Sequence, residues 1–315
     1  MRLYYASDIH GSERLWRKFL NAPSFYDVEV LIMGGDLTGK VLVPLVEVRP
    51  GRWTARFLGR EQKVKGEEKA AELERRIRLN GHYPIRVSPE EMERMSSDEA
   101  HRDAVFRDVM RAELARWLEL AHEKLRGTGV RCFVMAGNDD EWDIDPVLDA
   151  GPAPVEHVSE RVVRFDGVQL LSSAYANPTP WDSPRELPEP ELLERLETLA
   201  GSLDPGLPAI FNLHVPPYDS GLDLAPELTD DLRVVTEGGE ARLAPVGSRA
   251  VRTLIEHHRP VLGLHGHVHE SRAVAEIGPT LCINPGSAYG EGVIDGAIVE
   301  LDGDGRVTSH QLVTG

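Results

Sequence analysis

The sequence predicts an α/β fold whose strands deliver polar loops to one sheet edge. Short apolar runs at 3–6, 28–33 and 130–136 each give way to a loop holding glycine and an acidic or amide residue. Amphipathic helical segments separate them, and a second set of strand-like runs, one ending at His214 and one at His265, fills the other half. Sheets with helical crossovers place ligand chemistry at the carboxyl ends of their strands.

The first strand, 3–6, leads through a loop at 7–11 to a helix capped by Ser12, with Leu15, Trp16, Phe19 and Leu20 on one face before Pro23. The second run stops at Gly34-Gly35-Asp36, the third at Gly137-Asn138-Asp139-Asp140. Between them, 41–58 alternates like a hairpin turned at Arg49-Pro50-Gly51-Arg52. Charged helical sequence follows over 66–80, then an irregular piece with Pro84 and Pro89. A long helix over 97–126 carries Leu114, Trp117, Leu118 and Ala121 on its apolar face. Residues 41–95 thus read as an inserted lid or dimerisation element within one domain spanning 1–315. The second half predicts a strand near Leu170, a helix at 192–200 and a strand at 209–213 ending in His214. A helix capped by Ser248 and strand-like runs at 261–264, 280–283 and 297–301 complete it.

A formal charge of −17 argues against an extended grip on a nucleic-acid backbone, which needs clustered Lys and Arg. No run approaches the roughly 18 apolar residues of a membrane span. The first residues lack the pattern of a secretory leader, and the two cysteines, Cys132 and Cys282, sit in apolar runs, so a cytoplasmic setting with free thiols is expected.

Asp8-Ile9-His10 places two ligand types two residues apart, and in an extended loop both side chains reach one side. His265-Gly266-His267-Val268-His269 sets three imidazoles, common metal ligands, in five residues after an apolar strand. Asp8, His10, Asp36, Asn138, His214, His267 and His269 all follow strand-like runs, so one sheet edge can gather all seven. Gly34 to Lys40 nearly spells a phosphate-binding loop, but Val41 stands where Ser or Thr is needed and no helix start follows.

With these motifs in this order, the chain resembles the calcineurin-like metallophosphoesterase superfamily from Asp8 to about Ser287, including Asn284-Pro285-Gly286-Ser287, which is similar to the family's closing turn. The resemblance implies a four-layer α/β/β/α sandwich of two mixed β-sheets flanked by helices. It implies two divalent transition-metal ions, drawn from Mn, Fe, Zn, Ni and Co. Asp8, His10 and His269 would hold the first ion, Asn138, His214 and His267 the second, and Asp36 would bridge them. The implied activity is hydrolysis of phosphodiesters or activated phosphomonoesters through a bridging hydroxide, with Asp36, Asn138, Asp139 and His214 in catalytic positions. The expected substrate is a small phosphate ester, a nucleotide among the options, and a homodimer through the insertion is a further expectation. A scaffold that binds a protein partner without catalysis is the alternative.

The chain departs from the family pattern at Asp139, where the family has a histidine tied to the leaving group. An ordinary carboxyl is ionised at neutral pH and donates no proton. His265 is the substitute donor considered, and Trp53, Tyr83, Tyr218 and Tyr289 are the aromatics weighed for stacking on a base or sugar.

Overall fold

Strands Arg2–Ala6, Val30–Met33 and Arg131–Val134 form because β-branched and aromatic residues alternate between two buried faces. Leu3, Tyr5, Val30, Ile32 and Phe133 face one apolar cluster, while Tyr4, Ala6, Leu31, Met33 and Cys132 face another. A computed structural model, which describes residues 1–229 and 231–315, pairs these three strands in parallel at the centre of a six-stranded sheet. Asp295–Leu301 and Val307–Thr314 extend it antiparallel on one side, and Val155–His157 closes the other.

A second six-stranded sheet contains Val168–Ser173, Ala209–Leu213, Leu262–Leu264 and Thr280–Asn284 in parallel, with antiparallel strands at both edges. The cluster holding Leu3 and Ile32 also holds Leu170, Ile210, Leu264 and Ile283, so it lies between the two sheets. Outside the first sheet, helices Glu13–Phe19 and Glu99–Leu125 pack on the opposite face; outside the second, Glu189–Ala200 and Arg249–His258 do the same. Among the described residues, no helix is long and apolar enough to cross a membrane.

Trp16 and Trp117 join the first helix to the long one: their rings stack at 5.6 Å, and Trp16 Nε1 donates to the Trp117 carbonyl at 3.0 Å. Both are buried. Trp16→Ala is expected to lower stability by about 3–5 kcal/mol, because the cavity and the freed carbonyl add to the lost transfer energy. A denaturant melt would check this, and a loss under about 1 kcal/mol would contradict it.

The predicted hairpin is present as Val41–Arg49 and Arg52–Phe57, and the charged helix as Glu67–Leu79. Two further strands were not legible. Arg60–Lys65 is a mostly exposed edge strand with little apolar signal, and His82–Val87 contains the Pro84 that suggested irregular chain. Pro84 is accommodated because His82–Val87 is the other edge of this four-stranded sheet, where a missing N–H can face outward. Pro89 opens helix Pro89–Ser97 at its first turn, capped by Ser88. The insertion has a core of its own, with Ala70, Leu73 and Ile77 packed on Val43, Leu45 and Trp53.

Candidate metal centre

The loops leaving the parallel strands of both sheets meet and are stitched by backbone bonds. The Asp8, His10 and Gly11 amides donate to the carbonyls of Gly35, Asp36 and Leu37 at 3.0, 3.0 and 2.8 Å. From the second sheet, Gly266 N–H donates to the His214 carbonyl at 2.9 Å, and Ser287 Oγ donates to the Asp8 carbonyl at 2.7 Å. Asn284 donates its amide to the Leu222 and Val268 carbonyls, each at 3.0 Å, which gives the closing turn its task of fixing the histidine loop.

Asp8, His10, Asp36 and His267 all have positive φ, at 56°, 40°, 49° and 66°. The extended loop inferred from Asp8-Ile9-His10 is therefore corrected: the two side chains converge through left-handed backbone, not through strand alternation. Such conformations carry a cost on the order of 1 kcal/mol or more each and persist where the surroundings enforce them. Two glycines make room. A Cβ at Gly137 would lie 2.1 Å from Asp36 Oδ1, and one at Gly266 would lie 2.3 Å from Asp8 Oδ2.

His10 Nε2 and His269 Nε2 face each other at 3.1 Å, with His269 Nε2 also 3.4 Å from Asp8 Oδ1. Beside them, His214 Nδ1 donates to the Gly34 carbonyl at 2.8 Å, which leaves the Nε2 lone pair free. That Nε2 is buried without a hydrogen-bond partner, 3.4 Å from Asp36 Oδ2 and 3.8 Å from Asp8 Oδ1. Asn138 gives its amide to Ser183 Oγ at 2.6 Å and turns Oδ1 toward His267 Nδ1 at 2.8 Å. The His267 and His214 rings lie 5.4 Å apart, and Asp36 Oδ2 is 3.8 Å from His10 Nε2. All seven residues expected at the site are thus brought together.

The donors fit divalent transition metals: imidazole nitrogens with an orphaned lone pair, two buried carboxylates and an amide oxygen. Burial opposes ionisation of Asp8, yet hydrogen bonding with His269 and the charge of His214 outweigh it and hold the carboxyl down to about 2. Asp36 is likewise held well below its usual range, against burial, chiefly by His214. For His214, burial disfavours the charged form, but Asp36 and then Asp8 push its pKa up to about 10. This field favours positive charge between the carboxylates, whether a proton or a metal ion supplies it.

No protein-family model matches the chain. An uncharacterized protein of Methanocaldococcus jannaschii, MJ1162, is 27% identical over 132 residues, which are 41% of this chain and 53% of that protein. The chain therefore spans about half the length of the curated relative it matches. Among solved structures, TT1561 of Thermus thermophilus is similar over 100% of this chain and 97% of that one, at 14% identity and a TM-score of 0.54. A looser likeness, at 12% identity and a TM-score of 0.42 over 100% of this chain and 99% of the other, is to an archaeal phosphodiesterase, too loose to bear on activity. The chain shares the fold of TT1561.

Within this fold the residue at the departing motif position, Asp139, is not a lone carboxyl. Burial and the neighbouring Asp36 raise its pKa, while Lys40, with Nζ 3.1 Å from Asp139 Oδ1, pulls the other way. Lys40 also donates to the Asp139 carbonyl. His265 is excluded as a substitute donor: its Nδ1 faces the Leu213 and Val215 carbonyls at 2.9 and 3.2 Å. A Cβ at Gly263, on the strand that leads directly into His265, would lie 2.9 Å from its Nε2, so the ring folds back along the sheet, and burial lowers its pKa to about 4.

The aromatics divide in the same way. Trp53 is in the insertion's core, and Tyr83 is buried with its hydroxyl accepting from Gly39 N–H at 2.7 Å, so neither stacks on a substrate. Tyr218 lies under the Arg249 guanidinium at 3.8 Å. Tyr289 alone among the four lies against the centre, its ring 4.5 Å from His10 and 5.6 Å from His269.

Three supporting residues escaped sequence reading. Asp140, visible within its motif but given no task, accepts from Leu37, Thr38 and Gly137 amides. Ser183 orients Asn138, and buried Arg185 donates to the Asp140 and Glu141 carbonyls and to Asp145. Nothing in the local sequence marks either. A further group, Glu197 with His257 and His258, lies on the outer helices. Its contacts are carboxylate–imidazole pairs at 3.1 and 2.8 Å, in a last helical turn where histidine suits the dipole.

Proposed function

We propose that this chain is a metal-dependent phosphoesterase that hydrolyses phosphodiesters or activated phosphomonoesters. The observation that carries the reading is the buried, unpartnered Nε2 of His214 aimed between the Asp8 and Asp36 carboxylates. Asp8, His10 and His269 would hold one divalent ion, Asn138, His214 and His267 a second, with Asp36 shared. When bound, such ions supply a Lewis-acidic field that draws in a phosphoryl group and acidifies water beside it. The protein's part is orientation: Gly34 fixes the His214 tautomer, Ser183 turns the Asn138 oxygen inward, and the His267 amide holds Asp8 at 3.1 Å.

The layering of helices, two sheets and helices is read as the four-layer sandwich of this superfamily. The insertion is read as shaping the mouth of the site, because Tyr83 anchors the loop that carries Lys40. Burial and Asp36 raise the Asp139 pKa, but its carboxylate is paired with the Lys40 ammonium and is read as staying ionised, so esters with poor leaving groups should turn over slowly relative to diesters with activated leaving groups.

The test is a panel of nucleotides, cyclic nucleotides, phosphomonoesters and model diesters assayed with Mn, Zn, Co and Ni. Metal-stimulated turnover supports the reading; no turnover with any metal favours a scaffold. Asp139→His is expected to raise the alkyl monoester rate by about tenfold, the low end of general-acid contributions after an imperfect graft, with little change for an activated diester. Equal rates for both proteins on both esters would remove Asp139 from the leaving-group step.

A further inference from the structure

We propose that Lys40 is a substrate-positioning residue: its ammonium, carried on Asp139, binds a phosphoryl oxygen of the ester at the mouth of the metal centre. This rests on the phosphoesterase reading and goes beyond it by assigning a residue outside the expected ligand set.

The placement of Lys40 is built from both sides. Asp140 grips the preceding loop, accepting from Thr38 N–H at 2.9 Å and Thr38 Oγ1 at 2.6 Å. From the insertion, the Tyr83 hydroxyl accepts from Gly39 N–H at 2.7 Å, and a Cβ at Gly39 would lie 2.4 Å from the Gly81 carbonyl. A glycine is therefore required for the loop to pass between metal centre and insertion. Lys40 then reaches Asp139, whose other carboxylate oxygen is 3.9 Å from His10 Nδ1 and whose N–H donates to Asp36 Oδ1 at 3.0 Å. The ammonium is thus one residue removed from the ligands, and its side chain remains 42% exposed, open to an anion.

Asp139 alone would repel a phosphate. Paired with Lys40 it becomes a neutral unit whose cation can turn to a phosphoryl oxygen without leaving its carboxylate, since an ammonium has three donors. A lysine here acts as a flexible point charge. No proton transfer is asked of it; a positive charge beside Asp139 is sufficient. The near match to a phosphate-binding loop that ends in Lys40 therefore has a chemical reading after all, with the lysine serving a metal site rather than a nucleotide cradle.

The experiment uses the full chain loaded with Mn, comparing wild type with Lys40→Met, Lys40→Arg, Asp139→Asn and the Lys40→Met/Asp139→Asn double variant. Metal content, melting temperature, the Kd of inorganic phosphate, and kcat and KM for bis(p-nitrophenyl) phosphate are measured. Lys40→Met should raise the phosphate Kd and the diester KM about tenfold or more, with kcat changed less, as expected for loss of one charge-assisted contact. Metal content should not change, and Lys40→Arg should recover most of the loss. Because Asp139 acts through Lys40, the double variant should be no worse than Lys40→Met. An active wild type with Lys40→Met within twofold in Kd and KM, or no recovery by Lys40→Arg, overturns the Lys40 assignment alone. A metal-loaded wild type that neither hydrolyses esters nor binds phosphate overturns the phosphoesterase reading and this one with it.

Discussion

Asp36→Asn is expected to lower phosphoesterase turnover by about a thousandfold or more and to reduce bound metal from two ions to at most one. The Asp36 carboxylate lies between the two ligand groups, 3.4 Å from His214 Nε2 and 3.8 Å from His10 Nε2. An amide keeps the shape but removes the negative charge that would offset two neighbouring dications, and it directs N–H groups at nitrogen ligands. A shared metal clamp contributes several kcal/mol to the transition state, and about 1.4 kcal/mol is a decade in rate. The backbone should tolerate the change, because Asn accepts the left-handed conformation of position 36 as readily as Asp. Metal-free protein should therefore still fold, melting below the wild-type temperature because the ionised Asp36 carboxylate, held down by His214, contributes to stability. A variant that keeps both metals and normal turnover would remove Asp36 from its bridging place.

The second large effect is expected at Asp140, which holds no metal. Its buried carboxylate accepts from Leu37 N–H at 3.0 Å, Gly137 N–H at 2.9 Å, Thr38 N–H at 2.9 Å and Thr38 Oγ1 at 2.6 Å. It thereby ties the Asp36 loop to the Asn138 loop. Asp140→Ala strips four donors of their acceptor at once. Each unmet buried donor costs about 1–3 kcal/mol; relaxation makes the sum non-additive, so a loss of about 3–5 kcal/mol is expected, as for breaking a buried charged network. Turnover should fall with it, because Asp36 and Asn138 lose their common support. Denaturant unfolding with a parallel assay checks both, and a stability loss below about 1 kcal/mol with normal turnover would contradict this role.

The convergence of the seven expected residues was legible because strand ends and metal-binding side chains coincide in sequence: an apolar run stops and a carboxylate, amide or imidazole follows. What holds them was not. Ser183 and Arg185 each act across 45 residues of chain, on loops without periodicity. The backbone of Asp8 and His10 was read as extended, since residue type gives the chemistry of a site but not the φ that tertiary contacts impose. Arg60–Lys65 and Val307–Thr314 are mostly exposed edge strands with polar faces, so the hydrophobic alternation that marks a strand is weak in them. Trp53 and Tyr83 were open to a substrate role in sequence, because an aromatic in an insertion looks the same whether it packs a private core or lines a pocket.

The most direct measurement is the anomalous diffraction of crystals grown with Mn. Two peaks about 3.5–4 Å apart, one ligated by Asp8, His10 and His269, the other by Asn138, His214 and His267, and both touching Asp36, are the predicted result. No peak, or peaks only away from His214, would contradict it.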